Sequence, residues 1–332
     1  MSTTATRETL LDLLGVDPAG AVGVEFEASA SVFHGEGLQR IDLQYTNMLG
    51  ETVPAIALVP DGAAPRSCGA VVCMAGTSGD AEQCVEPTLH KLPPSGASRG
   101  PMCGWATELS RRCGVVTLSI TLRGHDARNG RKAEDAGEEG AYQAQWGTAE
   151  KLMRPFGQCM MGVMTDEVLR GVDVLPRALR CVDPQRIAVT GFSLGGNVSW
   201  YSAACSTAIA ASAPLCGGVG SMKVAIHQGD PNRHSDYFYI PHFLRHFDQP
   251  QVVAECITPR PLFIFAPTLD EDMPKEGVEQ LKAAVGPAYA GAGAAELLDV
   301  RQPEGHHEFT HELFGWLAAW VQAAVGGPAP SL

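Results

Sequence analysis

A serine bracketed by glycines is the residue of this chain best placed to do chemistry, in Thr190-Gly191-Phe192-Ser193-Leu194-Gly195-Gly196. The run before it, Arg186-Ile187-Ala188-Val189-Thr190, is short and apolar, as a buried parallel strand should be. The run after it, Asn197 to Ser206, is rich in small residues and suits a tightly packed helix. Gly-x-Ser-x-Gly between a strand and a helix describes a nucleophile elbow, a strained turn whose neighbours must lack bulk. Such a turn presents the hydroxyl at a helix start, where backbone N–H groups favour negative charge. The bland alternative is a glycine-rich turn in which the serine is incidental.

A serine hydroxyl needs a base to take its proton and an acid to orient that base. After an elbow these follow in the order Ser, Asp or Glu, His, from loops beyond later strands. The acid is expected after Pro261-Leu262-Phe263-Ile264-Phe265, and Asp270 is the choice there, with Asp272 in reserve. Acids favoured at a helix start are the competing explanation for that cluster. The base is expected in Gly305-His306-His307-Glu308-Phe309, with His307 preferred to His306. Oxyanion donors are expected from the Leu194 N–H and from the loop Ala75-Gly76-Thr77-Ser78-Gly79, where Thr77 is the choice.

The elements that must hold these residues alternate. Ile41–Tyr45 and Val53–Val59 around an Asn47–Glu51 turn read as antiparallel edge strands, after a short helix ending near Gly15. Strands Ala70–Met74, Val115–Ile120, Arg186–Thr190, Ile209–Ala213, Pro261–Phe265 and Glu296–Val300 follow. Helices are expected near Trp105–Arg112, Thr165–Leu179, Glu276–Ala284 and Glu312–Ala324. This spacing implies an α/β fold with a mostly parallel central sheet and helices on both faces. One domain over residues 1–332 is expected, with an N-terminal extension (1–38) and lid or cap insertions at 124–158 and 217–247. In the second insertion His227, Tyr237, Phe238, Tyr239, His242, Phe243 and Phe247 either cap a pocket or pack that insertion into the core.

Composition bounds the partners. The 332 residues are 45 % hydrophobic and 18 % charged with net charge −13, and no basic run offers a nucleic-acid or anionic-membrane surface. No apolar stretch approaches the roughly 20 residues a bilayer requires, and Met1–Asp17 shows no signal pattern. The ten cysteines are scattered without a Cys-x-x-Cys pair, and those in apolar runs, Cys216 among them, read as small hydrophobes. A reduced, cytoplasmic protein follows, with neither nucleic acid nor membrane as partner; a homodimer stays open.

These motifs resemble the α/β-hydrolase superfamily, in its dienelactone-hydrolase and acetyl-xylan-esterase-like branch, over residues 40–325. Besides the elbow, the resemblance rests on Val182-Asp183-Pro184-Gln185-Arg186-Ile187, Thr258-Pro259-Arg260-Pro261-Leu262, Leu122-Arg123-Gly124-His125-Asp126 and Gly-His-His-Glu-Phe. It implies the α/β-hydrolase fold, ester hydrolysis through an acyl-enzyme, Ser193 as nucleophile, Asp270 as acid and His307 as base. No cofactor or metal is implied. Ala75-Gly76 stands where that branch usually has His-Gly, so the support of the oxyanion loop must differ. A peptidase, a thioesterase or a non-catalytic ligand-binding homologue shares the same pattern. His307-Glu308-Phe309-Thr310-His311 also spells His-Glu-x-x-His, a zinc motif when on a helix. Its loop-forming Pro303 and Gly305, and the lack of a third ligand at a familiar spacing, count against that reading.

Overall fold

The computed structural model describes residues 3–35, 37–77, 79–86, 103–125, 128, 147, 149–230 and 233–326. Ten strands form one sheet: β1 (Phe26–Ala28), β2 (Val32–Gly35), β3 (Leu38–Thr46), β4 (Thr52–Pro60), β5 (Cys68–Met74), β6 (Val116–Ile120), β7 (Val182–Phe192), β8 (Ala211–Leu215), β9 (Leu262–Phe265) and β10 (Leu298–Arg301). Their order is β1-β3-β4-β6-β5-β7-β8-β9-β10, with β2 also on β3. Pairings among β1 to β4, and of β4 with β6, are antiparallel. Every pairing from β6 to β10 is parallel. This is the α/β-hydrolase fold, and β1 and β2 draw part of the expected N-terminal extension into its sheet.

The strands are apolar along their whole length because both faces are covered. In β5, Ala70, Val72 and Met74 join one core cluster while Val71 and Cys73 join the other. In β9, Leu262 and Ile264 divide from Phe263 and Phe265 in the same way. One face is covered by α1 (Thr3–Leu14), α4 (Met160–Ala178), α5 (Leu194–Cys205), α8 (Gln249–Cys256) and α9 (Lys275–Gly291). The other carries α3 (Trp105–Cys113) and α10 (His311–Ala324). Shorter helices are α2 (Ala81–Val85), α6 (Met222–Gln228) and α7 (Phe243–His246). Each fully buried Val, Leu or Phe contributes about 1.5–3 kcal/mol.

Several boundaries differ from expectation for local reasons. Helix α4 starts at Met160, five residues before Thr165, because the Cys159 thiol caps it by accepting from the Gly162 N–H at 3.3 Å. Strand β10 starts at Leu298, since Ala295–Leu297 turns as a 3₁₀ helix. Helix α9 runs seven residues past Ala284, through Pro287, burying Tyr289. Arg260 donates to the carbonyls of Ala203, Ser206, Ile209 and Cys256 at 2.6–2.8 Å, which closes the free ends of α5 and α8. Arg123 grips Glu51 at 2.8 and 3.0 Å while its N–H reaches Glu167 at 2.8 Å. Buried Glu167 is further compensated by Asn47 and Arg128.

Register decides where the loops emerge. Met74 lies beside Gly191, Phe192 beside Leu215, Leu215 beside Phe265, and Phe265 beside Arg301. The loops after β5, β7, β8, β9 and β10 therefore leave one edge of the sheet together, as ligand-binding loops of parallel sheets do. Backbone bonds tie them: Cys216 N–H to Phe265 O at 2.8 Å, then Thr268 N–H to Pro303 O and Leu269 N–H to Gly305 O, both at 2.9 Å. Of the 124–158 insertion, residues 126–127, 129–146 and 148 lie outside the described residues, as does Ser78. Among the described residues no helix is long and apolar enough to cross a membrane.

Candidate active site

Ser193 sits between the last residue of β7 and the first of α5 with φ +56° and ψ −118°. A non-glycine residue there carries strain of about 1–3 kcal/mol, so the surroundings must hold it. They do so with the Ser193 N–H donating to Leu215 O at 2.9 Å and Gly195 N–H donating to Ala75 O at 3.2 Å. The glycines are sterically required. An added Cβ would meet Met74 O at 2.7 Å on Gly191 and at 2.4 Å on Gly195, and Leu215 O at 2.7 Å on Gly196. Phe192 and Leu194 are buried, whereas Ser193 between them is partly exposed. The elbow expected from Gly-x-Ser-x-Gly is thus present as backbone geometry.

The loop after β5 lies directly against this turn, since a Cβ on Gly76 would come within 3.5 Å of the Ser193 Cβ. Thr77 is hydrogen-bonded to the buried Tyr237 hydroxyl from the 217–247 segment. That contact supports the loop beside Ala75-Gly76. Leu194 opens α5, so its N–H belongs to the first turn, which has no intrahelical acceptor.

His307 and Asp270 meet. His307 Nδ1 lies 2.9 Å from Asp270 Oδ1 and 3.4 Å from Asp272 Oδ2, while His306 is exposed. The Phe192 ring packs on the His307 ring with centroids 4.8 Å apart, which places the imidazole beside the residue preceding Ser193. Phe309 and Trp105 extend that aromatic support. With Nδ1 engaged, Nε2 is the ring nitrogen left for a proton from elsewhere. Among the described residues no hydrogen bond joins Ser193 Oγ to His307; such contacts are often long before substrate binds.

The charges are set by their neighbours. Burial by itself would push His307 down, but the Asp270 hydrogen bond and the Asp272 and Asp270 charges outweigh it and leave its pKa raised. Burial would push Asp270 up, yet the His307 partnership leaves it lowered. Asp272 accepts from Arg233 Nε at 2.8 Å, and its carbonyl oxygen lies 2.5 Å from His234 Nε2. Burial leaves His234 lowered, and its ring stacks on Phe238 at 3.8 Å.

The His-Glu-x-x-His reading fails on geometry, because His307 lies in the loop and His311 is the first residue of α10. A different trio, Cys216, Asp270 and His307, brings one potential ligand atom each within 4.8 Å of the others. Asp270 and His307 are already partners there. Of the 217–247 aromatics, Tyr237, Phe238, Phe243 and Phe247 all join the core, and the Tyr237 hydroxyl also reaches Thr77 in the loop after β5. Sequence reasoning missed Arg233 and Cys216. Cys216 was legible only in that it follows a strand ending at this edge.

No protein-family model matches the chain. It is 32 % identical over 175 residues to YtaP of Bacillus subtilis (strain 168), which carries the name of a hydrolase; the match takes 52 % of this chain and 58 % of YtaP. The chain therefore spans a little over half the length of the curated relative it matches. Among solved structures it resembles one from Bacteroides fragilis NCTC 9343 named for acetyl xylan esterase, with TM-score 0.70, 15 % identity, and 99 % and 83 % of the two chains covered. It also resembles the glucuronoyl esterase from Solibacter usitatus, with TM-score 0.67, 13 % identity, and 96 % and 92 % covered. These likenesses agree with the α/β-hydrolase fold read from the sheet.

Proposed function

We propose that this chain is a serine esterase that cleaves a small carboxylic ester through an acyl-enzyme. The observation that carries the reading is the Asp270–His307 pair packed against Phe192, beside a serine held at φ +56°. In the first half-reaction His307 Nε2 takes the Ser193 proton as Oγ attacks the ester carbonyl. The Leu194 and Thr77 N–H groups stabilise the oxyanion, and the imidazolium returns the proton to the departing alcohol. In the second, water is activated by the same nitrogen and releases the acid. Asp270 fixes the ring so that Nδ1 carries its hydrogen toward the carboxylate.

The hydrolase name of YtaP and the esterase names of the structural neighbours support this class. The cytoplasm is the proposed location, in keeping with nine of ten cysteines being buried as small core residues. A fluorophosphonate probe tests the reading: it should label wild-type protein at Ser193 and leave Ser193→Ala unlabelled. Turnover of p-nitrophenyl acetate should fall by about 10³-fold or more in that variant. Near-normal turnover without Ser193 would refute the assignment.

A further inference from the structure

We propose that Cys216 is a positioning residue for the acid, its thiol donating an S–H···O hydrogen bond that holds the Asp270 carboxylate against His307. The proposal rests on the esterase reading above. Cys216 directly follows Leu215, whose register partners are the last residues of the elbow strand and the acid strand. It has φ +47°, an uncommon backbone for a non-glycine residue, and its N–H is tied to Phe265 O at 2.8 Å. Only 1 % of it is exposed, so a polar atom there must find its partner inside the protein.

The partners are the site's own groups. Cys216 Sγ, an Asp270 oxygen and a His307 nitrogen lie within 4.8 Å of one another. The Glu308 N–H beside them donates to His306 O at 2.8 Å, which fixes the histidine loop next to the sulfur. Burial first, then the Asp270 charge, pushes this thiol up, which favours the protonated S–H form that can donate. Cys216 therefore links the acid loop to the histidine loop. Asp270 Oδ1 already receives His307 and the Asp272 N–H. A further neutral donor offsets the carboxylate's charge and restrains its rotation.

Removing the donor leaves more of that negative charge acting on His307. The groups facing the imidazole are Asp270 and Asp272, with Arg233 bound to Asp272 and with His234 nearby. None of these changes in the test, so the shift has one source. Cys216→Ala should raise the His307 pKa by about half a unit, the size expected for one lost neutral hydrogen bond. The shift is read both by imidazole NMR titration and by the acid limb of kcat/KM. In parallel kcat should fall several-fold with KM unchanged, and Cys216→Ser, which keeps a donor, should return both near wild type.

NMR titration separates the two claims, because it reports the imidazole even if fluorophosphonate labelling shows that Ser193 is not a nucleophile. A thermal shift equal in both variants with an unmoved His307 pKa would overturn the positioning role. So would stoichiometric zinc in the wild type that is lost from Cys216→Ala. Should that variant fail to fold, the S–H stretch of wild type against Asp270→Asn carries the test. One S–H band should move to higher frequency when the carboxylate acceptor is gone, and an unmoved band overturns the proposal.

Discussion

Arg233 Nε donates to Asp272 Oδ1 at 2.8 Å, so a side chain from the segment between β8 and β9 controls the second carboxylate beside His307. Asp272 Oδ2 lies 3.4 Å from Nδ1, close enough to act on the imidazole by charge, while Asp270 makes the shorter contact. Removing Arg233 unmasks the Asp272 charge and should stabilise the imidazolium. Removing the Asp272 charge should do the reverse. The acid limb of kcat/KM should therefore move to higher pH in Arg233→Met and to lower pH in Asp272→Asn, each by less than about one unit at this partly exposed site. Shifts of the same sign in both variants would contradict the arrangement.

The two aspartates should differ sharply in rate. Asp270 is buried and contacts Nδ1 at 2.9 Å, and in the proposed mechanism it orients the base, so Asp270→Asn should lower kcat by about 10³–10⁴-fold. Asp272 contributes charge from a longer distance, and Asp272→Asn should cost less than about tenfold. Steady-state kinetics of both variants on one ester decide it. Equal losses would make the acid a shared pair.

Much of this site was readable from sequence because its parts obey local rules. Gly191, Gly195 and Gly196 announce a turn in which any Cβ would strike backbone, and the apolar runs before Ser193 and Asp270 announce strands that end there. What sequence could not give was which loops face each other, because that depends on register between strands far apart in the chain. Cys216 read as an ordinary core residue, and the pairing of Leu215 with Phe265 is what brings it beside Asp270. Tyr237 illustrates the same limit. Its neighbours Phe238, Phe243 and Phe247 are core, and nothing in the composition of that segment says that this one hydroxyl would reach Thr77.

Elbow glycines should tolerate no side chain. A methyl group on Gly195 would lie 2.4 Å from Met74 O and 2.7 Å from Ala75 O, both backbone atoms of the central strand and its loop. Neither can move without disturbing the β5–β7 pairing. Gly195→Ala should therefore lower the unfolding free energy by about 2–3 kcal/mol, a typical cost of overpacking. Urea denaturation measures this directly. Gly286→Ala, where a Cβ meets nothing within 4 Å, is the control and should be neutral or slightly stabilising.

Activity and stability should run in opposite directions with pH around His307. Its pKa is raised because the Asp270 hydrogen bond and the Asp272 and Asp270 charges outweigh burial, so the folded protein holds this proton more tightly than the unfolded chain. The stabilisation from the imidazolium is fully present below the unfolded value of about 6.5 and is lost as pH rises through the folded pKa. The proposed mechanism requires the opposite state, since in it Nε2 must be unprotonated to accept the Ser193 proton. The acid limb of kcat/KM should consequently have its midpoint above about 6.5. Asp270 behaves in the other sense. Its lowered pKa gives a contribution present above the ordinary aspartate value of about 3.9 and lost as pH falls through the folded value. A pH–rate profile on a p-nitrophenyl ester, measured beside urea midpoints in the same buffers, tests both signs at once. An acid limb at or below the free-histidine value would mean that the carboxylates do not act on His307 in solution as they are placed to do.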